Sequence, residues 1–212
     1  MGNLRRHSNS WPKIFGAGPG NPEYLTLKLV KELATAKKVI ATERILRMIR
    51  PYTRAELIEL DENEKFYAMI KSVGDEEGTY LLSTGDPMIA GLGKFFSNSQ
   101  IEPGISSIQR CASLIHEPLI DSVLLSTRYG KNYDKIKLAL EIGLGVFILP
   151  EPNLNVGQTA RKLMSYIGST VEMSVCLDLT LESQRIYRGS IMDLMNIDDN
   201  GLKVIFIKPP HI

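Results

Sequence analysis

The chain has 212 residues, 43% of them hydrophobic, which is enough for one large domain or two small ones around a real core. Its 25 Lys and Arg balance 24 Asp and Glu at a formal charge of +1, so no whole-molecule field draws it onto nucleic acid or anionic lipid, and any basic patch has to be local. Cys111 and Cys176, the only cysteines, form no CxxC and predict neither a disulfide framework nor a zinc site but a reducing, cytoplasmic location, while no apolar run approaches the roughly 20 residues of a membrane span.

Residues 1–12 lack the hydrophobic centre of a signal peptide and read as a polar arm with Arg5, Arg6 and His7 in solvent. KIFGAG is a strand ending in glycines, and LTLKLVKELATA is a helix with Thr26 as N-cap and Leu29, Val30 and Leu33 on one face. KKVIAT is a second strand, ERILRMIRPY a short helix ended near Pro51, and AELIEL a third strand. NEKFYAMIKSVG, residues 63–74, has helical spacing. TYLLST is again a strand, KFFSN a helix end, and SQIEPGISSIQRCASLI passes from strand into helix. This alternation predicts an α/β unit with a largely parallel sheet.

Beyond His116–Ile120 the pattern changes. SVLLSTR and GVFILP are strands, VGQTARKLMSYIG is a helix, and VEMSVCLDL, QRIYRGS and LKVIFIK are strands with fewer helices between them. The prediction is two α/β domains, 13–117 and 118–212, with mixed, largely parallel sheets and a ligand cleft between them, since small molecules favour domain interfaces and strand carboxyl ends.

FGAGPGNPEYLT invites comparison with a dinucleotide fingerprint, but Asn21 stands where the third glycine belongs, and Pro19 and Pro22 keep the backbone extended to about Thr26. GLGKFF is no phosphate loop, because no Ser or Thr follows Lys94. GDPMIAG and PGISS each make sense as turn punctuation, and Asp86 alone could be an acid, a metal ligand, a turn former or part of a cradle. His7, His116 and His211 cluster with nothing recognisable, so no general base and no catalytic residue is identified.

In order along the chain, FGAGPGNPEYLTLK, STGDPMIAG and EPGISSIQ, followed by FILPEPNLNVGQTARKL and ESQRIYRGS, resemble the tetrapyrrole methylase family from about Lys13 onward. GPGNPEYLT and PGISS are most similar to the branch that methylates C-5 of cobalt-precorrin-7 in anaerobic cobalamin synthesis. The resemblance implies a homodimeric methyltransferase that uses S-adenosylmethionine (SAM) as methyl donor, needs no protein-bound metal and acts on a tetrapyrrole, while the even charge balance and the lack of an apolar span predict a partner that is neither nucleic acid nor membrane. It implies cofactor contacts from Pro19, Gly85, Asp86, Ile89, Ser106, Ser107, Leu149 and Leu177, and substrate contacts from Gly18, Gly20, Arg44 and Arg128. The branch's Ser-x-His-Gly-Arg is here STRYG, and its Glu-Arg is Gln184-Arg185. No fused C-15 methyltransferase/decarboxylase fits in this length, so a separate protein is expected to supply that step. The alternatives are a sister methylase acting on another corrin position, a diphthamide precursor or ribosomal RNA, and a non-catalytic SAM- or corrinoid-binding protein.

Overall fold

The computed structural model describes residues 12–60, 77–96 and 99–209. The polar arm and the helix predicted over 63–74 lie outside them. The chain divides into two compact units, Met1–Ser106 and Ser107–Ile212.

The first unit is built from β1 (Lys13–Gly16), α1 (Leu27–Leu33), β2 (Lys38–Ala41), α2 (Glu43–Ile49), β3 (Glu56–Glu59), β4 (Thr79–Ser83) and the short β5 (Ile101–Glu102). Its sheet has the order β3-β2-β4-β1-β5, every pair parallel. The central strands are apolar at consecutive positions because both faces are covered. Phe15, Val39, Tyr80 and Leu82 pack with α1 and α2, whereas Ile14, Ile40 and Leu81 pack with Leu60 and Phe96 on the other side. The Thr26 hydroxyl accepts the Leu29 N–H at 3.2 Å, capping α1 as predicted, and Leu29 and Leu33, one turn apart, are fully buried. Each such leucine contributes about 1.5–3 kcal/mol of burial.

The second unit contains α3 (Ser107–Ile115), β6 (Ser122–Ser126), α4 (Tyr133–Glu141), β7 (Gly145–Leu149), α5 (Val156–Ile167), β8 (Glu172–Leu177), β9 (Arg185–Ser190), α6 (Ile191–Leu194) and β10 (Lys203–Ile207). The order is β6-β7-β10-β8-β9, and only β6 and β7 pair in parallel. This sheet is therefore more antiparallel than the sequence suggested, because β10 inserts against the run of β7 and β8. Val146, Ile148, Val175, Ile205 and Ile207 face a core closed by α4, α5 and α6. Helix α5 starts at a reciprocal capping box, Asn155 with Gln158. Helix α4 was not predicted, although Tyr133, Ile136 and Leu140 carry a helical period after Asn132.

Two expectations change here. Cys111 on α3 and Cys176 on β8 form a disulfide across 65 residues, contrary to the prediction of no disulfide. Sequence distance concealed the pair: both sulfurs lie in the fully buried layer beneath α3. The division of the chain also falls at Ser106–Ser107 rather than near residue 117, because α3 packs on β10 and is covalently joined to β8.

Candidate functional site

In the first unit the carboxyl ends of β1, β4 and β5 meet at three glycines. A Cβ on Gly16 would lie 2.5 Å from the Gly104 Cα and 2.5 Å from the Gly85 carbonyl oxygen, and one on Gly104 would lie 2.4 Å from that same oxygen. Only glycine permits backbones to approach this closely. The Gly85 N–H donates to the Gly18 oxygen at 2.9 Å and the Ala17 N–H to the Ser83 oxygen at 2.8 Å, joining the GPG loop to the loop after β4. Gly18 and Gly85 both take positive φ, 71° and 65°, as this tight crossing requires.

Asp86 is tied to the same knot. Its Oδ1 accepts the Met88 N–H at 2.7 Å and its Oδ2 the Gly104 N–H at 3.2 Å. The Asp86 carbonyl accepts the Ile89 N–H at 3.1 Å, closing the turn that places Ile89 half-buried beside it. Arg44, from the first turn of α2, reaches the Pro19 carbonyl and the Thr84 hydroxyl, each at 3.4 Å. The structure therefore brings Gly18, Pro19, Gly20, Arg44, Gly85, Asp86 and Ile89 together at one end of this sheet. Ser106, buried at 2% exposure, closes the unit's chain. At the neighbouring edge, the hydrogen bond from Lys28 holds the Glu102 carboxyl below its usual range against the opposing effect of burial.

In the second unit Ser107 opens α3, and Leu149 and Leu177 end β7 and β8 as buried residues. Those two leucines are not neighbours, since β10 runs between their strands. Arg128 follows β6 and is exposed. Beside it lies a cluster that the sequence did not reveal. The Tyr133 hydroxyl donates to Glu151 Oε2 at 2.6 Å, Lys162 Nζ donates to Glu151 Oε1 at 2.7 Å, and the Tyr133 ring stacks on Tyr166 at 4.5 Å. Burial pushes the Glu151 carboxyl up, but its hydrogen bonds from Lys162 and Tyr133 outweigh this and hold it below the usual range. Tyr133 is raised by burial and by Glu151, and Lys162 is raised by its bond to Glu151. A second unpredicted group is Lys203, 7% exposed and opposite Leu177 in the sheet, whose ammonium donates to the Gly201 oxygen at 2.8 Å and is lowered by burial. A lysine at the first position of an otherwise apolar strand is the signal that could have marked it.

Among the described residues no group of His, Cys, Asp and Glu could hold a metal ion, and no helix is long and apolar enough to cross a membrane. His116 is exposed at φ 60°, and His7 and His211 lie outside the described residues.

Residues 14–195 match the family model of tetrapyrrole (corrin/porphyrin) methylases. A probable cobalt-precorrin-7 C(5)-methyltransferase of Methanocaldococcus jannaschii is 30% identical over 210 residues, covering 90% of this chain and 94% of the relative. A uroporphyrinogen-III C-methyltransferase of Cyanidium caldarium is 30% identical over 203 residues, covering 81% and 80%. Among solved structures, a cobalamin biosynthesis precorrin-6Y methylase from Archaeoglobus fulgidus has the same fold at a TM-score of 0.73 and 19% identity, covering 95% of this chain and 98% of that one. A diphthine synthase superposes equally well, at a TM-score of 0.75 with 14% identity over 94% of this chain and 90% of that one.

Proposed function

Because this chain belongs to the tetrapyrrole (corrin/porphyrin) methylase family, and is with it a SAM-dependent methyltransferase, we propose that it methylates C-5 of cobalt-precorrin-7. The observation that carries this reading is the match to the M. jannaschii protein, which spans nearly the full length of both chains.

SAM supplies a methyl group already activated on a sulfonium. The protein's remaining task is alignment and exclusion of water, the entropy-trap mode of catalysis. The knot of Gly16, Gly85 and Gly104 packs backbone directly on backbone and so fixes the loops at the strand ends that would border such a ligand. On this reading Gly85, Asp86 and Ile89 line the cofactor together with Pro19, Ser106, Ser107, Leu149 and Leu177. Asp86 acts by shaping the loop, as both of its oxygens are taken by backbone N–H groups. A carboxylate aimed at the sulfonium would instead favour the ground state, whose charge disappears as the methyl leaves. Gly18 and Gly20 border the substrate, and Arg44 and Arg128 face its carboxylates. The same proposal includes a homodimer and a separate C-15 methyltransferase/decarboxylase.

The equal identity of the uroporphyrinogen-III methylating relative favours, as a second reading, a sister enzyme acting on another ring position. The test is incubation of the protein with cobalt-precorrin-7 and labelled SAM, followed by mass spectrometry and determination of the labelled carbon. A single methyl at C-5 is expected. A methyl elsewhere supports the sister enzyme, and no transfer to any tetrapyrrole overturns both.

A further inference from the structure

The two sheets have four edge strands, and three of them are guarded in the usual ways. Strand β3 carries Glu56 and Glu59, β9 carries Arg185 and Arg188, and β5 is two residues long. Charge and shortness are what keep an unpaired edge from joining another strand. The fourth edge, β6, is protected by neither. Its sequence is Ser-Val-Leu-Leu-Ser, five residues with no charge and no proline, in unbroken register with β7 and paired on that side only.

The direction of its backbone groups follows from the bonds at its two ends. The Asp121 oxygen accepts the Gly145 N–H and the Thr127 N–H donates to the Leu149 oxygen, both at 3.1 Å. Residues 121 and 127 thus turn their backbone toward β7, and because these groups alternate along a strand, so do Val123 and Leu125. Ser122, Leu124 and Ser126 turn theirs outward. Of these outward groups only the Ser126 oxygen is met among the described residues, by Asn132 Nδ2 at 2.8 Å, and a carbonyl keeps a second lone pair. Both faces of the edge are apolar: Leu124 is 43% exposed on one, and Val123 and Leu125 are half-buried against the core of the second unit on the other.

The strand reads nearly the same in both directions about Leu124. Antiparallel self-pairing centred there sets Leu124 against Leu124 of a second copy and Ser122 against its Ser126, so every outward residue meets an outward residue, and such pairs exchange both N–H···O bonds. Val123 meets Leu125 on the core face. No like charges are opposed, and the first charges beyond the strand, Asp121 and Arg128, are opposite in sign, so each copy's Asp121 end lies by the other's Arg128 end. One patch serving both partners is the isologous contact of a two-fold dimer.

We propose that β6 is the dimer-forming edge of this protein, two copies pairing antiparallel about Leu124 so that their second-unit sheets become one continuous sheet. This rests on the homodimer included in the reading above and gives it an interface, whichever ring carbon is methylated.

The test compares the full-length protein with Leu124→Lys and Leu124→Cys, and with Leu138→Cys as a control at a 59% exposed position on α4. Association is read by sedimentation over a concentration series and folding by circular dichroism. Leu124→Lys opposes two ammonium groups at the two-fold axis and is expected to raise the dimer dissociation constant at least about tenfold with the parent's spectrum kept. Both native cysteines are held in their bond, so the introduced thiol is the free one. Residues paired in this way have Cα atoms about 5.5 Å apart, within disulfide reach. Mild oxidation is expected to link Leu124→Cys into a covalent dimer much faster than Leu138→Cys, and this decides the matter if Leu124→Lys does not fold. A folded Leu124→Lys as dimeric as the parent overturns the inference, as does Leu124→Cys linking no faster than the control. A monomeric parent overturns it together with the homodimer and leaves the edge to a foreign strand. Methyl transfer to cobalt-precorrin-7 is read in a separate assay, so the substrate reading fails or holds independently of all these outcomes.

Discussion

The Asp86 carboxylate accepts the backbone N–H of Gly104, 18 residues further along the chain, at 3.2 Å. With Met88 on its other oxygen, this one side chain fixes the shape of the loop after β4 and ties it to the loop after β5. Asp86→Ala leaves two backbone donors without their acceptor, at about 1–3 kcal/mol where they stay dry. The loop's fit to SAM then suffers before the reaction does. The expected outcome is a Kd for SAM raised about tenfold with kcat at saturation within about threefold of the parent, measured by calorimetry and steady-state kinetics. Unchanged affinity with a large loss of saturated turnover would give Asp86 a chemical role instead.

Gly104→Ala should be costly out of proportion to its size. The added carbon would meet the Gly85 oxygen at 2.4 Å and the Gly16 Cα at 2.6 Å, and backbone on both sides cannot yield as a side chain would. Gly130→Ala is the control, with positive φ of 70° but nothing within 4 Å. The control is expected to cost about 1 kcal/mol and Gly104→Ala at least about 2 kcal/mol, read as the difference in thermal unfolding. Equal melting temperatures would contradict the close approach.

The Cys111–Cys176 disulfide closes a loop of 65 residues, and the chain-entropy account assigns such a link about 4 kcal/mol. Both sulfurs are fully buried, so native protein should show no thiol to an alkylating reagent, and denatured protein should show none until a reductant is added. Cys176→Ala is expected to unfold at a clearly lower temperature than the oxidised parent. Two thiols released by denaturant alone would count against the bond.

Tyr80 provides a test by pH. Burial, then the hydrogen bond to Glu32 at 2.5 Å, push its hydroxyl from 10.0 up to about 12. The folded state therefore holds this proton more tightly than the unfolded chain does. The associated stability is complete below pH 10 and is lost as pH rises from 10 towards 12. Ultraviolet titration should show Tyr80 ionising about two units late, with Tyr133 and Tyr187 also raised, and Tyr80→Phe should remove that late step while Glu32→Gln moves it part of the way back. A late step that Tyr80→Phe leaves in place unchanged would remove Tyr80 from that buried contact.

Much of the first unit was legible in the order of residues. Thr26 before Leu29 and Leu33, the apolar runs of β1, β2 and β4, and the glycines at the strand ends are signals carried within a few residues, and each element formed where they stood. The predicted residues Gly18, Pro19, Arg44, Gly85, Asp86 and Ile89 gather at one end of that sheet. In the second unit the strands were legible but their directions were not, since β10 is matched to β7 and β8 by pairing across long stretches of chain that no local period encodes. Helix α4 carries its period in Tyr133, Ile136 and Leu140, a shorter local signal than the strong strands on either side of it.

By itself the sequence determined the local elements, the alternation that makes an α/β chain, and the ordered glycine and proline motifs that place it among its relatives, because these depend on dihedral preference and burial over a few neighbouring residues. Only the tertiary structure decided that Asp86 spends both oxygens on backbone, that Cys111 meets Cys176, that Glu151 gathers Tyr133 and Lys162, and that α3 belongs with the second unit. Each of those is a meeting of groups distant along the chain, and such meetings are set by how whole sheets and helices pack rather than by any neighbour's identity.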